Sequence, residues 1–237
     1  MKRFFILLMS LALSGGVCAA EGEFTPEQRK QIEQIVREYI IQNPDVLIEA
    51  SKILEAQHLE GQEKAKEEAI AFFRKDKGTP HRRGDGKHYL VEFFDYNCGY
   101  CKKARVHTQK LVKERNIDAY YIEFPILSQA SVQAAAIGLA LYEHDPQKYF
   151  KYQDYLMGKE EKLVNLEQMR EALRYVKADV DRVMAISKHK RIRDALLRNL
   201  SLGKEMGVAG TPYFVIDGTT VLGGFSASSD LEQYLKK

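Results

Sequence analysis

The stretch YLVEFFDYNCGYC, residues 89–101, determines how the rest of the sequence is interpreted. Residues 89–94 are a nearly continuous apolar run, which is typical of a strand covered on both faces. Residues 98–115 then show helical spacing, and residues 117–124 are a second apolar run that ends at Pro125. A strand, a helix and a second strand in this order predict two parallel strands of one sheet, and therefore an α/β fold.

Two cysteines, Cys98 and Cys101, lie where the predicted strand turns into the helix. Free backbone N–H groups and the positive end of the helix dipole would lower the pKa of Cys98 and make it the attacking sulfur. Cys101, one turn later and facing the protein, could attack a mixed disulfide on Cys98 and release the substrate. The sequence therefore predicts a pair of cysteines that exchanges thiols and disulfides.

Glu92 lies inside the apolar strand, six residues before Cys98. A buried carboxylate without a partner has a raised pKa, so Glu92 is a candidate to exchange a proton with Cys101. The alternative is a carboxylate at the edge of the strand that pairs with a lysine.

Two other interpretations of the cysteine pair are weaker. A structural zinc site needs four ligands, but the sequence has 3 cysteines and its histidines are scattered. A purely structural disulfide across two residues closes too small a loop to constrain the unfolded chain. No cofactor and no metal are expected, although the thiolates of Cys98 and Cys101 would also suit copper(I).

Helices and a hairpin are predicted after the second strand. Residues 131–207 show the spacing of several helices, the last of them a longer pattern that ends at Gly207. Residues 213–216 and 219–222 read as a hairpin, because Asp-Gly lies between them. A final helix is predicted over residues 231–237.

These features together resemble the DsbA family of bacterial periplasmic thiol–disulfide oxidoreductases. The resemblance rests on Glu92, the motif at 93–101, the helical stretch 126–207 and the segment GTPYF at 210–214, and it covers residues 88–237. It implies a thioredoxin fold over residues 89–237, with a helical domain inserted at about 126–200.

The resemblance also implies how substrate is held. The proline that matches Pro212 is cis in that family, which would leave the Thr211 backbone free to pair with an extended substrate chain beside Cys98. Gly99 and Tyr100, between the two cysteines, complete the predicted substrate-binding residues.

The sequence departs from the oxidases of the family in two places. Oxidases usually carry Pro-His between the cysteines and Val before the cis proline, whereas Gly99-Tyr100 and Thr211 are similar to DsbC-type disulfide isomerases. A neutral tyrosine removes a positive charge near Cys98, which Lys102 and Lys103 would compensate in part. We therefore expect disulfide isomerisation, and also formation, in exported proteins.

The expected partners are reduced or misoxidised exported proteins and a membrane redox partner. Three alternatives stay open at this point: a plain dithiol oxidase recycled by a membrane partner, a copper-linked thiol protein, and a holdase chaperone in which the cysteines are incidental. The net charge of +3, from 36 basic and 33 acidic residues, is too small and too evenly mixed to indicate nucleic acid.

The first 20 residues read as a cleaved signal peptide that directs the chain to the periplasm. A basic head at 1–3 precedes an apolar run at 4–13, and small residues lie at 18–20. The run is too short for a membrane span, which takes about 20 residues. Cleavage after Ala20 removes Cys18 and leaves Cys98 and Cys101.

Residues 21–75 are predicted to form a helical arm. Apolar stripes at 32–40 and 46–54 need a partner surface, whereas residues 55–68 are almost wholly polar. We expect the arm to join copies into a homodimer or homotrimer, the alternative being that the stripes pack on the chain's own globular part. Disulfide isomerases and the trimeric suppressor of copper sensitivity proteins resemble this arrangement. Residues 76–88, with Gly, Pro and charge but no periodicity, read as a linker.

Overall fold

The computed structural model of the protein describes residues 24–222 and 229–235. The chain divides into two compact units, with the division between Glu55 and Ala56. The predicted signal peptide, residues 1–20, lies outside the described residues, as does Cys18. Within the described ranges, none of the helices combines the length and the apolar character that a bilayer span requires.

The first unit consists of helix α1 (Pro26–Gln42) and the beginning of helix α2 (Asp45–Lys75). Thr25 and Gln28 form a reciprocal capping box at the start of α1. None of the residues of α1 is buried. Exposed apolar side chains on the predicted stripes are Ile32, Ile35, Val36, Tyr39, Val46, Leu47, Ile53 and Leu54. Ile41 and Ile48 are exposed as well, although the prediction did not include them.

The second unit is built on a mixed five-stranded sheet in the order β1-β3-β2-β4-β5. Strands β2 and β3 are parallel, as the strand–helix–strand pattern predicted, and the other neighbours are antiparallel. The strands are β1 (His81–Arg82), β2 (Tyr89–Phe94), β3 (Asp118–Glu123), β4 (Tyr213–Ile216) and β5 (Thr219–Leu222).

Helix α3 (Gly99–Arg115) connects β2 to β3, and further helices lie between β3 and β4. These are α4 (Gln129–His144), α5 (Pro146–Met157), α6 (Leu166–Tyr175), α7 (Val180–Ile186) and α8 (Lys190–Glu205). The long pattern that the sequence predicted before Gly207 is thus two helices, because Ser187 ends α7 and His189 begins α8. The final helix, α9 (Ser229–Glu232), ends earlier than predicted; residues 236 and 237 lie outside the described residues.

The two faces of the sheet are covered by different helices. Val91 and Phe93 of β2 pack with Phe73 of α2 and Met206, which follows α8. Phe94 and Cys101 belong to a separate cluster with the inserted helices. Alternate residues of a strand point to opposite faces, so Glu92 shares the face of Phe94 and points toward α3 and the insertion.

The structure differs from the predicted linker and from the predicted end of the arm. Ala69, Ile70 and Phe73 of α2 are buried against the sheet, and residues 81–82 form strand β1, which pairs with β3. The polar residues 55–68 dominate the pattern of α2 and hide the short apolar run that follows them. Two residues of edge strand carry no periodicity, so β1 left no sequence signal.

Candidate active site

Cys98 is the N-cap residue of α3, where the sequence analysis expected it. The loop after β2 turns sharply, with the Cys98 N–H donating to the Asp95 carbonyl at 3.0 Å. The Cys98 sulfur accepts a hydrogen bond from the backbone N–H of Cys101 at 3.1 Å. Both cysteines are free thiols.

The surroundings give the two thiols opposite acidities. The pKa of Cys98 is lowered to about 6, chiefly by its hydrogen bond with the Cys101 side chain and also by the backbone N–H groups of Cys101 and Tyr100; burial opposes this. Cys101 is fully buried, and burial raises its pKa well above the ordinary value. At neutral pH, Cys98 is therefore a thiolate and Cys101 a thiol, an arrangement suited to attack by Cys98.

One of the predicted substrate-binding residues, Thr211, lies beside the Cys98 sulfur. The Thr211–Pro212 peptide bond is cis, as the resemblance implied, and the Thr211 carbonyl oxygen lies 3.2 Å from the sulfur. Gly99 and Tyr100 are exposed, with 70% of Tyr100 accessible to solvent. Thr211 and Pro212 are partly exposed.

Glu92 is fully buried in β2, between β3 and β4. Burial raises its pKa to about 7; the positive charge of Arg105 lowers it and the charge of Cys98 raises it further. Neither carboxylate oxygen has a hydrogen-bond partner among the described residues, so the alternative of a strand-edge carboxylate held by lysine is not found. A carboxyl group with this pKa can both accept and donate a proton at neutral pH.

Lys102 and Lys103, which follow Cys101, bind groups other than the Cys98 sulfur. Lys102 donates to the backbone carbonyl oxygens of Lys159 and Glu161, at 2.6 and 3.0 Å, and burial lowers its pKa. The Lys103 ammonium group lies 5.8 Å from the centre of the Tyr100 ring. Lys102 thus ties α3 to the loop after α5.

Asp95, which the sequence analysis did not single out, organises the loop before Cys98. One carboxylate oxygen accepts hydrogen bonds from the backbone N–H groups of Ile126 and Leu127, both at 2.9 Å. The other accepts from the Asn97 N–H at 2.7 Å and the Ser131 hydroxyl at 2.6 Å. One buried side chain therefore fixes the cysteine loop against the start of the insertion.

Two more buried ionisable residues, Glu123 and Arg105, were not predicted from the sequence. Glu123, at the end of β3, accepts hydrogen bonds from the hydroxyl groups of Tyr96 and Tyr149 at 2.8 and 3.0 Å, and burial raises its pKa well above the ordinary value. Arg105 is 6% exposed and lies among the buried residues of α3. Each had a signal in the sequence. Glu123 interrupts an apolar strand run, as Glu92 does, and Arg105 stands four residues after Cys101 on the apolar side of the helix.

No set of three or more His, Cys, Asp and Glu side chains suited to a metal ion occurs in residues 24–222 and 229–235. The pair of Cys98 and Cys101 is the thiol site described above.

Comparisons with known proteins identify the family of the fold. Residues 75–237 match the family model described as Thioredoxin, and residues 28–58 match the Copper resistance protein ScsC N-terminal domain. A thioredoxin-like oxidoreductase from Silicibacter pomeroyi DSS-3 is 30% identical, with a TM-score of 0.63, over 68% of this chain and 92% of that one. Proteus mirabilis ScsC in a transitional conformation is 25% identical, with a TM-score of 0.66, over 90% and 95%.

A curated relative, the probable disulfide bond formation protein D of Bacillus anthracis, is 26% identical over 164 residues, which are 62% of this chain and 74% of that protein. The family match covers the whole sheet, α3 and the insertion, and it confirms the predicted fold class and enzyme class. The chain therefore belongs to the thioredoxin family, as a DsbA-like thiol–disulfide oxidoreductase.

Proposed function

We propose that this oxidoreductase rearranges disulfide bonds of exported proteins in the periplasm. The observation that carries the proposal is the environment of Cys98. Its thiol has a lowered pKa, its sulfur lies beside the Thr211 carbonyl oxygen, and Cys101 contacts the same sulfur. Gly99-Tyr100 and Thr211 favour isomerisation over plain oxidation, as in the DsbC-type sequences. The signal-like segment at 1–20 supports export.

The exchange begins at Cys98. Its thiolate attacks a wrong disulfide of the substrate, the substrate S–S bond breaks, and a mixed disulfide forms while one substrate thiolate leaves. A different substrate thiolate then attacks the mixed disulfide, forms the new substrate S–S bond and expels the Cys98 thiolate. No electrons are gained or lost overall, so this cycle needs no oxidant.

Cys101 provides the escape from a stalled mixed disulfide. It gives its proton to Glu92 and attacks Cys98, which releases the substrate as a thiolate and leaves a Cys98–Cys101 disulfide. The enzyme has then reduced the substrate by two electrons. A membrane redox partner that supplies a dithiol returns the pair to the reduced form.

The exposed apolar side chains of residues 32–54 support self-association through the predicted arm, 21–75, as a dimer or trimer. The match of residues 28–58 to the ScsC N-terminal domain supports it further. An assembly would offer more than one Cys98 to a single misfolded chain and would hinder docking of an oxidising membrane partner. Both effects favour isomerisation.

The test is reactivation of a scrambled, disulfide-rich protein by the full mature chain and its variants. We expect Cys98→Ser to abolish reactivation and Cys101→Ser to accumulate a mixed disulfide with the substrate. In the arm, the double variant Ile35→Glu/Leu54→Glu should lower both the molecular mass in solution and the reactivation, because both side chains are 65% exposed. Lys30→Glu, also exposed on α1, is the matched control.

Rapid oxidation of a reduced protein without any reactivation of the scrambled one would favour the dithiol oxidase. Chaperone activity that survives Cys98→Ser would favour the holdase. An unchanged mass for the Ile35→Glu/Leu54→Glu variant would contradict self-association through the arm.

A further inference from the structure

Arg105 is a buried cation one turn of α3 beyond Cys101. A spacing of four residues places both side chains on the same face of the helix, and both are buried in the fold. The Arg105 guanidinium donates to the Gln153 side-chain oxygen at 3.0 Å and forms an ion pair with Asp154 of α5. The thiol–disulfide steps proposed above do not use this pair.

Glu92 lies on the face of the sheet that α3 covers. Its partner in register on β3 is Tyr121, so the two side chains point to the same side. The Glu92 carboxylate and the Tyr121 hydroxyl are buried and have no hydrogen-bond partner in the part of the chain that the structure describes. No hydrogen bond therefore balances a charge on Glu92, so burial and the charged groups around it decide its protonation.

Ionisable groups on several elements act on Glu92 and on Tyr121, whereas the neighbour of Glu92 on β4 is the apolar Phe214. They are Cys98 and Cys101 at the start of α3, Arg105 within it, Tyr121 on β3, Arg82 on β1 and Asp154 on α5. Of the two cations, Arg105 is buried, whereas 36% of the Arg82 side chain is exposed and screened by solvent.

We propose that Arg105, anchored by Asp154, is a positioning residue that keeps Glu92 able to gain and lose a proton near neutral pH. The inference deepens the proposed function and rests on it, since Glu92 is the group that receives the Cys101 proton. Without a cation nearby, a fully buried carboxyl group holds its proton and cannot serve as a base. A bare cation would keep it ionised and unable to return the proton.

Asp154 weakens the electrostatic effect of Arg105 on Glu92, so that it lies between the effect of no cation and that of an unpaired one. The ion pair neutralises part of the guanidinium charge, while 45% of the Asp154 side chain remains exposed to solvent. Burial raises the pKa of Glu92 and Arg105 lowers it, with a balance at about 7. Two substitutions on one ion pair should therefore move Glu92 in opposite directions.

Arg105→Met removes the cation, so the pKa of Glu92 should rise by about one unit or more. Asp154→Asn leaves the cation unpaired and removes a negative charge, so the pKa of Glu92 should fall. Arg105→Lys keeps the charge and should restore most of the original value. The matched control is Lys110→Met, which removes a cation from the exposed side of the same helix.

The experiment is a pH titration of the glutamate carboxyl carbons by NMR in the reduced, full mature chain, with Glu92→Gln to assign the signal. The rate at which Cys101 releases a peptide from a mixed disulfide with Cys98 is measured over the same pH range. We expect the Glu92 midpoint to rise in Arg105→Met, to fall in Asp154→Asn and to stay in place in Lys110→Met. The inflection of the release rate should move with it.

A Glu92 midpoint that is the same in all folded variants overturns the proposal. If Arg105→Met does not fold, the Glu92 midpoint in Asp154→Asn tests the proposal by itself. That variant should fold, because Asp154 is partly exposed and asparagine keeps the shape of the side chain. If the midpoint moves as expected while the release rate ignores pH, the electrostatic role of Arg105 stands and the proposed proton transfer to Glu92 fails.

Discussion

The sulfur of Cys98 lies 3.2 Å from the carbonyl oxygen of Thr211, a residue 113 positions later in the chain. The backbone nitrogen of Cys101 lies 3.1 Å from the same sulfur. A thiol can donate to the Thr211 oxygen, whereas only the sulfur's lone pairs can accept from Cys101. The site thus offers a hydrogen bond to each protonation state of Cys98, and the loop before β4 reaches the sulfur that attacks in the proposed mechanism.

The acidity of Cys98 gives the first prediction. The ultraviolet absorbance of a thiolate in the reduced protein should titrate with a midpoint of about pH 6, because Cys101 and the backbone N–H groups of α3 stabilise the charge. Cys98→Ser should remove this transition, while Cys101→Ala should raise its midpoint by taking away the largest stabilising contact. A single thiolate transition near the ordinary pKa of cysteine would contradict the prediction.

Glu92 should make the stability of the folded protein depend on pH. Burial raises its pKa in the folded state to about 7 from 4.5, so its favourable contribution is complete below the unfolded pKa and is lost as the pH rises through 7. Glu92→Gln carries no charge at any pH. The free energy of unfolding of the original protein should therefore fall relative to that of Glu92→Gln as the pH rises. From pH 4 to pH 8 the difference should change by about 3 kcal/mol in favour of the variant.

The measurement is denaturant unfolding of both reduced proteins at each pH. Glu143→Gln is the control, since Glu143 pairs with Arg191 on the surface and its loss should change stability by less than about 1 kcal/mol at every pH. Parallel pH profiles for the original protein and Glu92→Gln would show that Glu92 is not the titrating group.

The end of α2 should behave as part of the catalytic core. Phe73 is fully buried and packs edge-to-face on Phe93 of β2, with ring centres 5.7 Å apart. Phe73→Ala should lower the free energy of unfolding by about 3–5 kcal/mol. Glu60→Ala, at an exposed position of the same helix, should change it by no more than about 0.5 kcal/mol. Equal, small effects of the two substitutions would show that the end of α2 does not stabilise the sheet and belongs to the arm, as the sequence predicted.

The cysteine motif and its strand were predictable because local rules govern them. An apolar run followed by helical spacing places Cys98 at a helix N-terminus wherever the insertion goes, and the strand period turns Glu92 inward. Strand β1 and the buried end of α2 were not predictable, because a two-residue strand has no period and a short apolar run behind polar residues 55–68 looks like the end of a stalk.

The supporting charges of the site were harder to predict than its cysteines. Asp95 binds Ser131, and Arg105 binds Asp154. Both partners are distant in sequence, and no local sequence pattern predicts such pairs. A charged residue on the buried side of a helix is the one signal that sequence offers. Arg105 carried that signal, since it stands between the buried positions Ala104 and Thr108 of α3.

Asp95 should couple the stability of the fold to the reactivity of Cys98. Its carboxylate is 1% exposed and accepts four hydrogen bonds, from Asn97, Ile126, Leu127 and Ser131. Asp95→Ala leaves those donors without an acceptor in the protein interior, which should cost about 3 kcal/mol or more. The loop that carries Cys98 would also lose its tie to residues 126–127.

The matched control is Asp145→Ala. Asp145 also accepts a backbone hydrogen bond, as the N-cap of α5, but in a solvated position, so its loss should cost about 1 kcal/mol. Denaturant unfolding gives both free energies, and the rate at which Cys98 reacts with a small disulfide gives its reactivity. We expect Asp95→Ala to slow that reaction even under conditions where the variant is fully folded, because the N–H groups that stabilise the thiolate belong to the turn that Asp95 holds. A folded Asp95→Ala variant with the original Cys98 reactivity would show that α3 positions the sulfur without help from the loop before it.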